Sequence, residues 1–152
     1  MITREATEQD LDILLEFEQG IVSAERPFNS TLIEGKIHYY DLLHLIKSED
    51  TLVLVTEDNN EILASGYARI KSPENSYSNF DRYAYLGFMY VKPEYRGKGI
   101  NKLILDKLTS WARSKDISEI RLDVYSQNES AIKAYEKAGF ESLLTTMRMK
   151  IE

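Results

Sequence analysis

The run Val91-Lys92-Pro93-Glu94-Tyr95-Arg96-Gly97-Lys98-Gly99-Ile100-Asn101-Lys102 gathers the residue types that hold an anion. It reads as a strand, a loop with two glycines, and a helix that starts among lysines. The first turn of a helix carries backbone N–H groups without intrahelical partners and a partial positive charge, a ready seat for phosphate. Gly97 and Gly99 lack a Cβ and let the backbone come close to a ligand. From Lys92 to Lys107 five Lys or Arg stand against two Asp or Glu, a local net charge of +3. The same residues would also suit an ordinary helix N-terminus beside a turn. Two nucleotide motifs are excluded: the dinucleotide fingerprint needs a third glycine where Lys102 sits, and a P-loop needs Gly-Lys-Ser/Thr after a longer glycine spacing.

A second constellation runs from Asn128 to Phe140. Asn128 and Tyr135 are seven residues apart, two helical turns, and so share a face. Ala131 and Ala138 on that side leave room for a ligand or another backbone. By itself the segment would equally fit an N-cap asparagine ahead of a core tyrosine.

The elements that must position these residues follow from periodicity and punctuation. Ile2 to Ala6 is a short strand, and Thr7-Glu8-Gln9-Asp10 caps a helix reaching about Ser23, with Leu11, Leu14, Leu15 and Glu18 at helical spacing. Arg26-Pro27-Phe28-Asn29 breaks that helix, and a second is expected over Thr31–Lys47. Thr51–Thr56 and Ile62–Ile70 form a hairpin around Asp58-Asn59-Asn60-Glu61. The polar loop Lys71–Arg82 leads to the strand Tyr83–Val91, and the loop Lys92–Lys98 precedes a helix from Ile100 to about Ser114. A strand Glu119–Val124 follows, then a helix opened by Ser126-Gln127-Asn128 and ended by Gly139, then one or two strands within Phe140–Lys150. This is an α/β (α+β) domain around one mixed sheet, in the order β-α-α-β-β-β-α-β-α-β.

Composition narrows the function classes. A chain of 152 residues with 43% hydrophobic and 11% aromatic residues is one domain, residues 1–152, with a core of its own. No repeat or linker divides it. The absence of cysteine removes disulfide and thiolate chemistry, and His38 and His44 alone argue against a metal site. The longest uncharged run, Tyr83–Val91, falls well short of the roughly 20 residues a membrane span needs. MITREATEQD holds no apolar leader, so a soluble, cytoplasmic protein is expected. The net charge of −6 gives no reason to expect nucleic acid. That figure conceals a division: residues 1–66 carry net −10 and residues 67–152 carry net +4. The basic half contains both constellations.

Together, V-x-P-x-x-R-G-x-G-I and, about 30 residues on, N-x-x-A-x-x-x-Y-x-x-x-G-F resemble the GNAT superfamily of acetyl-CoA-dependent N-acetyltransferases. The resemblance covers Tyr83–Phe140, and the upstream element order is compatible with the same fold. It implies that Arg96, Gly97, Lys98, Gly99, Ile100 and Asn101, followed by Lys102, hold the coenzyme A pyrophosphate. Asn101 departs from the glycine or alanine usual there but still offers its backbone N–H. Met89, Tyr90 and Val91 match the strand whose splayed edge meets the pantetheine arm and polarises the thioester carbonyl. Asn128 matches a pantetheine contact, and Tyr135 matches the general acid that protonates the departing thiolate. Acetyl-CoA is then the acetyl donor, with no metal, and a small or protein-borne primary amine is the acceptor. No nucleic acid or membrane partner is implied, and homodimers are common among such proteins.

The residue types suit that chemistry. Amine attack on a thioester builds an oxyanion, which a fixed strand N–H stabilises without reorganisation. Tyrosine, with a reference pKa of about 10, lies near an alkyl thiol at about 8.5–9. A lysine-like amine is only about one part in a thousand neutral at pH 7, so a base, or a water chain to one, assists attack. Tyr85-Leu86-Gly87-Phe88-Met89-Tyr90 holds no carboxylate, where many relatives carry one. Asp81, Asp123 and Glu25 are the candidates by chemistry alone, and a water relay without any single base would serve equally. That missing acid is the best support for the rival reading, a non-catalytic acyl-CoA-binding or sensing module.

Overall fold

A computed structural model describes residues Met1–Glu152. Five strands form one mixed sheet in the order β1-β2-β3-β4-β5: β1 Ile2–Glu5, β2 Thr51–Asp58, β3 Glu61–Lys71, β4 Tyr83–Val91 and β5 Ile120–Arg121. The first four run antiparallel, and β5 joins β4 in parallel. Helices α1 (Leu11–Glu25) and α2 (Leu42–Lys47) cover one face, and α3 (Ile100–Ser114) the other. A fourth helix, α4 (Glu129–Lys137), follows β5.

The continuous apolar run of β2 has its cause in this sandwiching. Val53 and Val55 pack with Leu14, Phe17 and Phe88 under α1, while Leu52 and Leu54 pack with Ile104 and Leu108 under α3. A strand buried on both faces needs apolar residues at every position. Asn59 and Asn60, at φ +49° and +64°, close the β2–β3 hairpin in the left-handed region that suits asparagine. No helix is long and apolar enough to cross a membrane.

Three expectations from periodicity are corrected. The second helix covers only Leu42–Lys47 rather than Thr31–Lys47. Residues 29–41 instead form an irregular strap tied to α1. Gly35 lies at φ +86°, outside helical space, and the backbone N–H groups of Tyr39 and Tyr40 donate to the buried Glu18 carboxylate at 2.8 and 2.9 Å. Those donors are lost to a helix ladder, and α2 starts only where Asp41 accepts from His44 N–H. The strand expected over Glu119–Val124 is reduced to Ile120–Arg121. No strand forms between Phe140 and Lys150, because nothing lies alongside that segment to pair with it.

Candidate active site

The site is built around an irregularity in β4. Ser65 pairs with Tyr90 and Tyr67 with Gly87, so Phe88 and Met89 together oppose Gly66: a β-bulge. Phe88 sits at φ +56°, a strained conformation for a bulky side chain. Two features hold it there. The Ser65 hydroxyl, fully buried, donates to the Phe88 carbonyl at 2.9 Å. The Met89 sulfur occupies the space beside Gly66, only 2.6 Å from where a Cβ would stand.

Beyond the bulge β4 has an open edge. Its pairing with β5 covers only Ala84 with Ile120 and Tyr85 with Arg121. From Leu86 to Val91 the backbone groups that face away from β3 have no strand partner, so a wedge opens between β4 and the chain after β5. Met89, Tyr90 and Val91 lie along it. An extended ligand arm could pair with this edge as an added strand.

The wedge leads to the glycine loop. A single turn at Pro93–Tyr95 follows β4, and Arg96 Nε donates back to the Val91 carbonyl at 2.9 Å, its guanidinium 5.7 Å from the Tyr90 ring centre. Glu61 braces the loop from below, accepting from Lys92 Nζ and Tyr95 Oη, each at 3.1 Å. These donors hold its carboxyl below the usual carboxylate range. Gly97 and Gly99 adopt φ +78° and +80°, and no atom lies within 4 Å of a Cβ built on either. Gly99 is the N-cap of α3, while Ile100, 1% exposed, pins the helix start to the core. The first-turn amides of Ile100, Asn101 and Lys102 are thus presented by a fixed frame to open space. Lys98 lies over the Tyr95 ring, and Lys102 pairs with Asp106 at 2.8 Å.

On the far side, Asn128 caps α4: its Oδ1 accepts from Ala131 N–H and from the Ser130 hydroxyl, both at 3.3 Å, which leaves Nδ2 for a ligand. Tyr135 lies half-buried on the same helix, edge-on to Phe140 at 5.7 Å between ring centres. Burial, and then the charge of Glu25, push its phenol above the ordinary value, so it keeps its proton.

Glu25, the last residue of α1, is the acid whose charge bears on Tyr135. Burial pushes the Glu25 carboxyl up, an effect the neighbouring Tyr39 phenol partly offsets. Tyr39 is itself raised by burial and by Glu25, and its buried hydroxyl completes no hydrogen bond within normal limits. Across the opening, Asn29 Nδ2 donates to Tyr125 Oη at 2.9 Å, and the Phe28 and Tyr125 rings stack 6.2 Å apart. A carboxylate among aromatic rings is a chemistry that receives a cation. The other two acids stand differently: Asp123 accepts from Tyr85 Oη at 3.0 Å, and Asp81 lies exposed in the loop before β4.

Sequence reasoning missed Glu18. It is fully buried, and its carboxylate accepts from Tyr39 and Tyr40 N–H and meets His38 Nδ1 at 2.9 Å. The available signal was a charged residue at an apolar helical position, which has to find buried donors.

A model of the acetyltransferase (GNAT) family matches residues 19–140. A thialysine N-epsilon-acetyltransferase of Bos taurus is 42% identical over 69 residues, 45% of this chain and 41% of that protein. The matched stretch thus spans about two fifths, or less, of the first curated relatives' lengths. Among solved structures, a mutant of the BH1408 protein from Bacillus halodurans superposes with a TM-score of 0.90 at 23% identity, over all of both chains. A predicted acetyltransferase from Clostridium acetobutylicum, solved with acetyl-CoA, gives 0.76 at 23% identity, over 98% of this chain and 95% of that one.

Proposed function

This chain belongs to the acetyltransferase (GNAT) family, and from that premise we propose that it transfers the acetyl group of acetyl-CoA directly to a cationic primary amine. The observation that carries the reading is the bulged, open edge of β4, which runs straight into the glycine loop and whose Met89 and Val91 pack on the same core cluster as Tyr135. The backbone amides from Gly97 to Lys102 receive the pyrophosphate, the edge from Met89 to Val91 receives the pantetheine arm, and Asn128 adds a side-chain amide. A β4 N–H freed by the bulge stabilises the oxyanion that builds as the amine attacks; a donor fixed by Ser65 needs no reorganisation.

Glu25 is the base of this reading. The acceptor enters as an ammonium between Glu25 and the rings of Phe28, Tyr39 and Tyr125. The carboxylate, raised by burial toward the working pH, draws off a proton directly or through water. Tyr135 then gives its proton to the leaving thiolate. The strand before the loop carries no acid, and α1 supplies one from the opposite side.

Two variants test the assignment. Tyr135→Phe should lower kcat by about 10²-fold, the low end of general acid catalysis, with coenzyme A affinity unchanged; full activity would remove its role. Gly99→Glu adds bulk and negative charge at φ +80° and should abolish coenzyme A binding; unchanged affinity would displace the pyrophosphate from this loop.

A further inference from the structure

The face of the sheet that α1 covers changes character toward the end of β3. Tyr67, 3% exposed, is packed there with Tyr40 and Phe88. Side chains two and four residues further along a strand keep to the same face, so Arg69 and Lys71 emerge beside it. The cover thins at this point: Arg69 is exposed and Lys71 half-buried. Register sets Arg69 beside Tyr85 and Lys71 beside Tyr83, and Lys71 Nζ lies 5.0 Å from the centre of the Tyr85 ring. Neither cation has a carboxylate partner. The acids that flank β5 are engaged elsewhere: Asp123 accepts from Tyr85 Oη and Glu119 from Arg121 Nε, both at 3.0 Å.

Tyr67 connects this pair of charges to the reacting centre. Its ring crosses β4 at Gly87, where Oη stands 2.7 Å from the place a Cβ would take, and Phe88 of the bulge comes next. Burial pushes the Tyr67 phenol up, and the Arg69 guanidinium beside it holds back part of that rise. Tyr40 packs edge-on to Tyr67 at 5.6 Å between ring centres; its phenol, raised chiefly by burial and by Tyr67, also feels the charge of Glu25. Of two rings in contact, one thus answers to an acid and the other to a cation. We propose that Arg69, backed by Lys71, binds a carboxylate of the acceptor, which makes the acceptor a free amino acid. Its amine goes to Glu25 and its carboxylate to Arg69, with the Tyr40 and Tyr67 rings along the carbon chain between them. This assignment rests on Glu25 receiving the amine. A guanidinium presents a planar fork of donors that matches a carboxylate, and Lys71 adds a point charge behind it. A diamine or an amino sugar brings only cations, which the same two side chains repel, so the pair selects against them as well as for the amino acid.

The test pairs each amino acid of a graded series with its own carboxamide, which keeps the amine and the shape but loses the negative charge. Thiol release from acetyl-CoA should favour the best amino acid over its carboxamide by about 10–100-fold in kcat/KM, the range of a hydrogen-bonded charge. Arg69→Met should bring that ratio close to one. Calorimetry on the protein loaded with coenzyme A supplies a readout that needs no turnover: the amino acid should bind the parent chain and fail to bind Arg69→Met. Equal turnover of the carboxamide, which is also what a residue within a peptide offers, overturns the proposal. So does a preference for the acid that survives Arg69→Met. Transfer to diamines with no preference for a carboxylate would leave acetyl transfer standing and remove only the amino-acid assignment. Binding of the amino acid that depends on Arg69, without thiol release, would support the carboxylate seat and count against transfer instead.

Discussion

Replacing Ser65 with alanine probes the bulge on which the site depends. The side chain is fully buried and its hydroxyl donates to the Phe88 carbonyl at 2.9 Å, inside the sheet and away from water. Deleting it leaves a buried acceptor unpaired, a cost of about 1–3 kcal/mol. Phe88 at φ +56° stores strain of the same order, about 1–3 kcal/mol, so the hydrogen bond and the strain it opposes are closely matched. Ser65→Ala should therefore both destabilise the fold and let β4 relax toward regular pairing with β3, pulling the free N–H out of place. For a domain of this size about 2–4 °C is lost per kcal/mol, so the lost hydrogen bond lowers Tm by roughly 2–12 °C, less the part returned as β4 sheds its strain. Losing one oxyanion donor's geometry should lower kcat by about 10²-fold, while KM for acetyl-CoA, which the proposed seat in the glycine loop would set, should change little. The assay is thiol release at saturating acetyl-CoA beside a thermal melt. A lower Tm with unchanged kcat would show that the bulge serves packing and not catalysis, and would end its role in holding the oxyanion donor.

Other consequences follow from the same geometry. Glu18→Gln keeps the shape and one oxygen for the Tyr39 and Tyr40 N–H groups but replaces the acceptor that meets His38 Nδ1 with an amide donor; it should cost about 1–3 kcal/mol and raise KM for the amine while coenzyme A affinity, measured by calorimetry, holds. Glu25 has to be ionised to act and its carboxyl is raised, so kcat should fall as pH drops through that raised value. Glu25→Gln should lower the plateau by about 10²-fold and abolish that limb of the pH profile. Tyr135 has to be protonated and is raised above its ordinary pKa of 10.0, so it should add no alkaline limb between about pH 7 and 9.

The parts of the site legible in the sequence are those whose chemistry is local. Gly97 and Gly99 announce a loop that needs positive φ, Asn128 announces a cap, and Ile100, Ile104 and Leu108 announce the buried face of α3. The fold followed as far as periodicity could carry it. The strap 29–41 was illegible because Glu18, about twenty residues earlier, takes the N–H groups its helix would need. The bulge left no signal either, since Phe88 is among the least expected residues at φ +56°, and Ser65 on the neighbouring strand holds it there. The acidic first half of the chain gains a meaning from Glu25, the carboxylate whose charge helps to raise the Tyr135 phenol.

Acetyl transfer itself is decided by release of free thiol from acetyl-CoA by the full chain across a panel of amines, with the acetylated product identified by mass. Release should depend on a cationic amine and match the acetylated amine one for one. Tight coenzyme A binding with no amine raising release above the rate of hydrolysis would be incompatible with catalysis and leave an acyl-CoA sensor.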